Sequence, residues 1–160
     1  MSSNKKLSAA VLTLSDTRTE AEDKSGQALK AMLEEHGYTL SDYSLIPDDT
    51  NKIKKILLHW SDRGIDLILT TGGTGPGPRD LTPDATSAVI EKNLPGFSEL
   101  IRSEGGKKTN RAYLTRGVSG IRKKSVIINL PGSVKGATES FEAVADLIPH
   151  TILMMDGGGH

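Results

Sequence analysis

The chain has 160 residues, of which 36% are hydrophobic and 25% are charged, a balance typical of a globular protein of about one domain. Twenty basic residues balance twenty acidic ones, so the zero net charge predicts no nucleic-acid or membrane partner. The absence of cysteine excludes disulfides, thiolate metal sites and cysteine nucleophiles, and it favours a cytoplasmic location. The N-terminal apolar run is too short for a membrane span and lacks the cleavage site of a signal peptide.

The first half of the chain alternates apolar runs with helical patterns. The segment LSAAVLTLS (7–15) is short and mostly apolar, which predicts a strand buried on both faces. A helix is predicted from Lys24 to His36 with Gly37 as its stop, and a second strand over 39–46. Thr50 predicts the N-cap of the next helix. The apolar face of that helix follows helical spacing and consists of Ile53, Ile56, Leu57 and Trp60.

The second half continues the same alternation. The segment IDLILTT (65–71) predicts a third strand, and SVIINLPGS (125–133) predicts a further buried strand that ends in a Pro-Gly turn. Between them, Thr82 is the predicted N-cap of a helix that has Pro83 in its first turn and runs to about Lys92. The last predicted helix carries an apolar stripe of Ala137, Phe141, Val144, Ala145 and Ile148.

Residues 94–124 interrupt this alternation. They predict a short helix around 97–104, followed by an irregular or hairpin segment rich in Gly, Lys and Arg. The order of strands and helices along the whole chain predicts a mainly parallel central sheet with helices on both faces. The predicted fold class is therefore α/β, as a three-layer α/β/α sandwich, in a single domain over 1–160.

Four loops with polar residues follow the predicted strands. They are SDTR (15–18), IPDDT (46–50), TTGGTGPGPRD (70–80) and NLPGS (129–133). In an open α/β sheet, ligands bind beyond the carboxyl ends of the strands. The four loops are therefore expected to converge at one edge of the sheet and to form a pocket there.

The glycine-rich loop 70–80 has the composition of an anion-binding site. Glycines let successive backbone N–H groups face one concavity, and Thr71 and Thr74 add hydroxyl donors. A helix that begins near Pro83 adds the positive end of its dipole. This predicts recognition of phosphate or another oxyanion; the alternative is a tight turn that needs glycine for its geometry alone. The loop matches neither GxxxxGKS/T nor GxGxxG, and no lysine follows it, which argues against nucleotide-hydrolase chemistry.

Carboxylates lie close to this loop in the sequence. Asp80 follows the glycines, and Asp48 and Asp49 lie on the neighbouring loop. A carboxylate next to a phosphate is repulsive unless a cation lies between them, and Mg²⁺ combines one or two carboxylates with phosphate oxygens and water. Asp48 and Asp80 are therefore predicted as catalytic and Mg²⁺-binding residues of a nucleotide site. Asp49 and Asp84 are interpreted instead as turn or helix-start residues.

Other polar residues give weaker patterns. Ser15 lacks the context of a nucleophile and is interpreted as a turn residue or a hydrogen-bond donor. The four histidines form no metal-ligand spacing, which argues against a zinc site; they are His36, His59, His150 and His160. A basic group is interpreted as a solvated face that could attract phosphates from one side of the pocket. Its members are Lys107, Lys108, Arg111, Arg116, Arg122, Lys123 and Lys124.

Five motifs give the chain a resemblance to a known family. TTGGTGPGPRDLTPDAT (70–86) is highly specific, and around it, in the right order, lie SDTR (15–18), LIPDD (45–49), PGFSELIR (95–102) and INLPGS (128–133). Over about residues 7–156 the chain resembles the molybdopterin adenylyltransferase family, the MogA/MoaB-type proteins related to the G domain of gephyrin. GGKKTNRAYLTR (105–116) aligns with no single subgroup. The resemblance implies a three-layer α/β fold and a homo-oligomer, usually a trimer or a hexamer.

The resemblance also implies a reaction and a set of site residues. The family uses Mg²⁺ and ATP to adenylylate the terminal phosphate of molybdopterin, releasing pyrophosphate, and the product is handed over for molybdate insertion by another enzyme. Asp48 and Asp80 occupy the positions of its functional carboxylates. The residues implied to bind molybdopterin and its phosphate are Thr71, Gly72, Gly73, Thr74, Gly75, Ser15, Asp16, Pro131, Gly132 and Ser133.

Two other functions stay open at this point. One is a non-catalytic molybdopterin-binding or assembly module of the same fold, because a fold does not by itself confer activity. The other is a nucleotide-processing enzyme that shares only the fold. The presence of both Asp48 and Asp80 favours the adenylyltransferase.

Overall fold

The computed structural model describes residues 6–158, which contain six strands and six α-helices. The strands are β1 (Ser8–Leu14), β2 (Thr39–Ile46), β3 (Leu67–Thr71), β4 (Lys92–Asn93), β5 (Ser119–Arg122) and β6 (Ser125–Leu130). The helices are α1 (Lys24–Glu35), α2 (Thr50–Asp62), α3 (Thr82–Val89), α4 (Pro95–Gly106), α5 (Val134–Val144) and α6 (Leu147–Met155). Two 3₁₀ helices lie at Glu20–Glu22 and Asn110–Leu114. Within the described part of the chain, none of the helices is long and apolar enough to cross a membrane.

The six strands form one sheet in the order β2-β1-β3-β6-β5-β4. The first four are parallel, and β5 and β4 continue the sheet in antiparallel pairs. Thr71 lies beside both Thr13 and Leu130 in the register, and Leu14 lies beside Ile46. The four parallel strands therefore end at one edge of the sheet, as predicted.

Helices cover both faces of the sheet. On one face, Leu29 of α1 and Phe141 of α5 are fully buried in a cluster with the odd-numbered residues of the central strands β1 and β3. On the other face, Leu57 of α2 and Ala85 of α3 pack against alternate residues of the same strands. Burial on both sides explains why the central strands are continuously apolar. The predicted three-layer α/β/α sandwich with a mainly parallel sheet is confirmed.

Two predicted N-caps were wrong. The cap of α2 is Asp49, whose carboxylate accepts the N–H of Lys52 at 3.0 Å, and Thr50 is the first helical residue. In α3, Thr82 is also inside the helix, and its hydroxyl donates to the carbonyl oxygen of Gly72 at 3.0 Å. Asp49 accordingly serves the start of a helix, as interpreted from the sequence.

The C-terminal helical pattern belongs to two helices rather than one. The apolar stripe continues from Phe141 to Ile148, but α5 ends at Val144 and α6 begins at Leu147. Pro149 explains the break, because its ring has no N–H to donate and clashes with the carbonyl four residues earlier in a continuous helix.

The segment 94–124 contains both of its predicted features. The helix expected around 97–104 is α4, which is longer and begins at Pro95. The expected hairpin is the antiparallel pair β5–β6, with Lys123 at a positive φ of 52° in its turn. The helix predicted to reach about Lys92 ends at Val89, because the backbone turns extended at Ile90 before β4.

Candidate functional site

The loops after β1, β2, β3 and β6 meet where the strand order reverses. The chain crosses from β1 to β2 on one side and continues to β3 on the other, which opens a crevice between these connections. The loops after β3 and β6 are in contact, since a Cβ on Gly132 would lie 3.2 Å from the Cα of Gly72. The hydroxyl of Thr71 donates to the carbonyl oxygen of Pro131 at 2.6 Å. The predicted convergence of the loops is therefore present.

The glycine loop after β3 needs glycine at two successive positions. Gly72 and Gly73 have φ values of 102° and 68°, a region that side chains disfavour. A Cβ on Gly72 would lie 2.5 Å from the carbonyl oxygen of Leu14. Thr82, at the start of α3, holds the loop in this conformation. Its hydroxyl donates to the carbonyl oxygen of Gly72, and its N–H donates to the carbonyl oxygen of Gly73 at 3.2 Å. The loop is thus folded tightly over the end of β1.

Asp48 presents a buried carboxylate to this loop. Its exposed fraction is 9%, and its Oδ1 has no hydrogen-bond partner within residues 6–158. A Cβ on Gly73 would lie 2.7 Å from that oxygen, so the carboxylate can approach the loop because Gly73 has no side chain. Burial raises the pKa of Asp48, and the charges of Asp16 and Asp80 raise it further against the opposing charge of Arg79.

Asp16 and Arg79 form a two-pronged ion pair beside Asp48. Arg79 Nη2 donates to Asp16 Oδ1 at 3.0 Å, and Arg79 Nε donates to Asp16 Oδ2 at 3.1 Å. These bonds, with a further one from the N–H of Asp48, hold the pKa of the Asp16 carboxyl below its ordinary value. The pair joins the loop after β1 to the loop after β3.

The carboxylate of Asp80 is folded back into the glycine loop. Its Oδ2 accepts the N–H of Gly77 at 2.9 Å. A Cβ on Gly75 would lie 2.9 Å from the same oxygen, and one on Gly77 would lie 2.8 Å from it. Asp80 therefore contributes to the shape of the loop as well as its charge.

Arg116 holds the outer side of the glycine loop. Its Nε donates to the carbonyl oxygen of Gly75 at 3.1 Å, its Nη2 donates to that of Asp80 at 2.7 Å, and its backbone N–H donates to that of Thr74 at 2.7 Å. It also pairs with Asp84, whose pKa this hydrogen bond lowers. The sequence placed Arg116 only in a basic group, and no local pattern indicates contacts to residues more than thirty positions away.

Several predicted binding residues use their side chains within the protein. The hydroxyl of Thr71 donates a hydrogen bond to the carbonyl oxygen of Pro131. It therefore joins two loops and does not face a ligand as a donor. Ser15 Oγ accepts the N–H of Arg18 at 3.0 Å in a turn, as one interpretation of the sequence expected. Ser133 caps α5 by accepting the N–H of Gly136 at 3.0 Å. Contacts of these residues with a pterin or phosphate stay predictions.

A cavity of about 780 Å³ adjoins the loop after β6. It lies between α5 on one side and α4 with the 3₁₀ helix Asn110–Leu114 on the other, and Pro131 and Ser133 are part of its wall. Charged side chains of both signs line it: the cations Lys107, Lys108, Arg111 and Lys135, and the carboxylates Glu104, Glu139 and Glu142. The basic group identified from the sequence therefore does not lie on one surface, since only Lys107, Lys108 and Arg111 of its members line this cavity. Arg122 and Lys123 instead bind Asp62 and lower its pKa to about 2.

The donor set at the site suits Mg²⁺ bound together with a phosphate ligand. Within residues 6–158, no three or more His, Asp or Glu side chains are arranged to hold a metal ion. His160 lies outside the described residues. Asp48 Oδ1, with no hydrogen-bond partner in the described chain, and the neighbouring Asp80 carboxylate are hard oxygen donors. Mg²⁺ typically takes one or two carboxylates and completes its coordination with phosphate oxygens and water.

Comparison with known proteins places the chain among molybdenum cofactor biosynthesis proteins. A family model described as a probable molybdopterin binding domain matches residues 10–150. A molybdopterin adenylyltransferase of Helicobacter pylori (strain ATCC 700392 / 26695) is 43% identical over 154 residues, which cover 92% of this chain and 86% of that protein. Molybdenum cofactor biosynthesis protein B of Bacillus anthracis is 38% identical over 132 residues, which cover 81% of this chain and 78% of that protein.

Solved structures give the same result. The molybdopterin biosynthesis enzyme MoaB from Thermus thermophilus superposes with a TM-score of 0.87 at 43% identity, covering 95% of this chain and 98% of that one. The molybdopterin biosynthesis Mog protein from Mycobacterium ulcerans gives 0.90 at 32% identity, covering 96% and 99%. The chain belongs to the molybdopterin-binding family of molybdenum cofactor biosynthesis proteins that includes these relatives.

Proposed function

We propose that this chain is a molybdopterin adenylyltransferase of molybdenum cofactor biosynthesis. It transfers the adenylyl group of ATP to the terminal phosphate of molybdopterin and releases pyrophosphate. The observation that carries this proposal is the buried carboxylate of Asp48, which faces the glycine loop at the sheet edge with one oxygen unpaired within the described chain. The H. pylori relative that is 43% identical over most of the chain carries the name of this activity.

The substrates are expected to occupy two adjoining parts of the crevice. Within the glycine loop the N–H of Gly72 donates to Leu130, so the backbone N–H groups offered to a ligand are those from Gly73 to Gly75. Since α3 begins beside them, this part suits phosphate oxygens. The cavity next to Pro131 and Ser133 provides room for the pterin. Its wall carries charges of both signs, because two of its lysines are paired with Glu104 and Glu139. The site residues inferred from the sequence keep their proposed roles here, with two exceptions: the Thr71 hydroxyl joins two loops, and the Asp16 carboxylate is already bound by Arg79 and Asp48.

The reaction requires positioning more than covalent participation by the protein. A phosphate oxygen of molybdopterin attacks the α-phosphorus of ATP in line, the bond from that phosphorus to the bridging oxygen breaks, and pyrophosphate leaves. Asp48 and Asp80 would hold Mg²⁺, which neutralises charge on the phosphate oxygens when it is bound. The loops contribute by aligning the two phosphates and excluding water, which supplies most of the rate in reactions of this class.

Pyrophosphate release from ATP tests the proposed activity. We expect release only when both molybdopterin and Mg²⁺ are present, and none in EDTA. Tight molybdopterin binding without release would identify a non-catalytic binding or assembly module instead. Release from ATP without molybdopterin would identify a different nucleotide-processing enzyme. A cytoplasmic location and hand-over of the product to a molybdate-inserting enzyme are further parts of the proposal, to be tested by cell fractionation and coupled turnover.

The substitution Asp80→Asn distinguishes a role in turnover from a role in molybdopterin binding. The substitution removes a charge from the metal side while an amide oxygen can still accept the N–H of Gly77. Turnover should therefore fall by far more than tenfold, which is about 1.4 kcal/mol in the barrier, while molybdopterin affinity is retained. A smaller loss of turnover would contradict a central role for Asp80 in binding Mg²⁺.

A further inference from the structure

We infer that Arg79 and Asp16 form a positioning pair that clamps the backbone of Asp48 and so fixes the direction of its carboxylate. This inference rests on the proposed function, in which Asp48 takes part in adenylyl transfer. It changes the predicted role of Asp16 from a ligand-binding residue to a residue that acts through Asp48. Arg79 had no assigned role in the sequence.

Both main-chain polar groups of Asp48 are bound by this pair. The N–H of Asp48 donates to Asp16 Oδ1 at 3.0 Å. The carbonyl oxygen of Asp48 accepts from Arg79 Nη2 at 2.9 Å. Because Asp16 and Arg79 also bind each other, the three residues form a closed ring of hydrogen bonds across three loops.

The connection that carries Asp48 depends on these outside contacts. Only 47–49 join the end of β2 to the start of α2, and Asp49 is occupied with capping the helix. Asp48 lies between these fixed points, so a small rotation of its peptide groups would turn the carboxylate away from Gly73. The two hydrogen bonds from the pair restrain that rotation from both sides of the residue.

Global stability does not account for the pair. The side chains of Arg79 and Asp16 are 64% and 37% exposed, and ion pairs this exposed contribute little to the folding equilibrium. Both carboxylate oxygens of Asp16 already accept bonds from protein groups, so Asp16 is poorly available to a ligand. What the pair does specifically is to hold Asp48 over the glycine loop.

The chain offers a matched control for substitution of Arg79. Arg63 and Asp42 form a similar pair, with Nη1 2.8 Å from Oδ2 and exposed fractions of 43% and 38%. That pair joins the C-terminal end of α2 to β2 and contacts none of the four loops of the site. Arg63→Gln therefore reports the effect of losing an exposed Arg–Asp pair as such.

Steady-state kinetics should separate positioning from binding. We expect Arg79→Gln to lower kcat by about 100-fold, the scale typical of a misplaced reacting group, with KM for ATP and molybdopterin unchanged. Arg79→Lys keeps the charge but not the forked geometry, so it should restore little. Asp16→Ala should resemble Arg79→Gln, and the double variant should be no worse than either single one. Arg63→Gln should retain full kcat.

Three kinetic results would overturn the inference. An unchanged kcat in Arg79→Gln would show that the pair is dispensable. A raised KM with unchanged kcat would mean that Arg79 binds a substrate directly. Full activity of Arg79→Lys would mean that only its charge matters.

Amide hydrogen exchange tests the same clamp without any turnover. In Asp16→Ala the N–H of Asp48 loses its charged acceptor and should exchange about tenfold faster or more. In Arg79→Gln it should also exchange faster, because Asp16 loses the partner that holds its carboxylate in place. In Arg63→Gln it should exchange as in the wild type. If the wild type releases no pyrophosphate, the proposed function fails, and exchange at Asp48 alone decides whether the clamp exists. Unchanged exchange at Asp48 in both variants would refute it.

Discussion

At the residue scale, the position of the Asp48 carboxylate in the site lowers the free energy of unfolding of the protein. Burial and the neighbouring charges of Asp16 and Asp80 disfavour its ionised form and raise its pKa. A carboxyl whose pKa is higher in the folded than in the unfolded chain destabilises the fold as the pH rises above the unfolded pKa, and the cost is complete above the folded pKa. Such strain is common at functional sites, where ligand binding relieves it.

Asp48→Asn should therefore stabilise the protein in EDTA while it abolishes turnover. We expect the free energy of unfolding at pH 7 to rise by about 1 kcal/mol, because the buried charge is gone. The gain should shrink as the pH falls towards 3.8, the ordinary value, since the wild-type carboxyl then takes up a proton in both states. Urea unfolding of both proteins at several pH values measures this. A less stable variant at pH 7 would mean that the Asp48 carboxylate is stabilising.

Gly73 allows the carboxylate of Asp48 to approach, and Gly73→Ala tests this. The positive φ of 68° alone should cost about 1–2 kcal/mol, and the new Cβ would also clash with Thr82 Oγ1 and lie 2.7 Å from Asp48 Oδ1. Gly37→Ala is the control, because it has a φ of 89° but no described atom within 4 Å of the added Cβ. Thermal unfolding should show a larger loss for Gly73→Ala, and only that variant should lose activity. Equal losses would show that the contacts of the added Cβ with Thr82 and Asp48 are unimportant.

Single residues also show where sequence reasoning reaches its limit. The motif placed Asp48, Asp80 and the glycines at one site, because composition and the order of strands suffice for that. It did not show that Asp16 and Arg79 bind each other, since their contact joins residues 63 positions apart. Such contacts depend on loop paths, which no local periodicity encodes.

At the scale of elements, apolar patterns were sufficient wherever a strand or helix packs against the sheet. The strand predicted over 39–46 has those bounds in the structure, and β1 and β6 are as buried as their composition indicated. Errors arose at helix ends, where one side chain decides. Asp49 competes with Thr50 for the cap of α2, and Pro149 divides an otherwise continuous apolar stripe.

Arg116 is expected to set the mobility of the glycine loop. Arg116→Gln removes the guanidinium bonds to the carbonyl oxygens of Gly75 and Asp80 and the pair with Asp84. Hydrogen exchange in residues 74–80 should therefore speed up, while exchange in β3 stays as in the wild type. The KM for ATP should rise, because a mobile loop binds phosphate less well. Unchanged exchange in both segments would show that the loop is held by its own backbone.

At the scale of the whole molecule, both hydrophobic clusters pack against the same sheet, one on each face. The single domain over 1–160 stays a prediction, and the structure describes residues 6–158 of it. The assembly of copies of the chain stays a prediction, and the surface gives it a physical basis. A closed trimer uses two different patches on each protomer, because its interfaces are heterologous. Within residues 6–158, the exposed large apolar side chains are Leu147 and Met154 on α6, Tyr113 and Leu114, and Val134 on α5. We take the first two pairs as the two patches.

We therefore expect sedimentation at micromolar concentration to give about three times the 17.1 kDa chain mass, or six times for a paired assembly of trimers. Leu147→Lys with Met154→Lys removes one patch, and Tyr113→Lys with Leu114→Lys removes the other, so each double variant alone should sediment as a monomer. Each variant keeps the patch that the other has lost. A mixture of the two should consequently form a dimer through one intact interface, since a ring that joins unlike patches needs only one complementary pair at each contact. A wild-type monomer would contradict the prediction of an oligomer. A mixture that stays monomeric would show that the two patches do not bind each other.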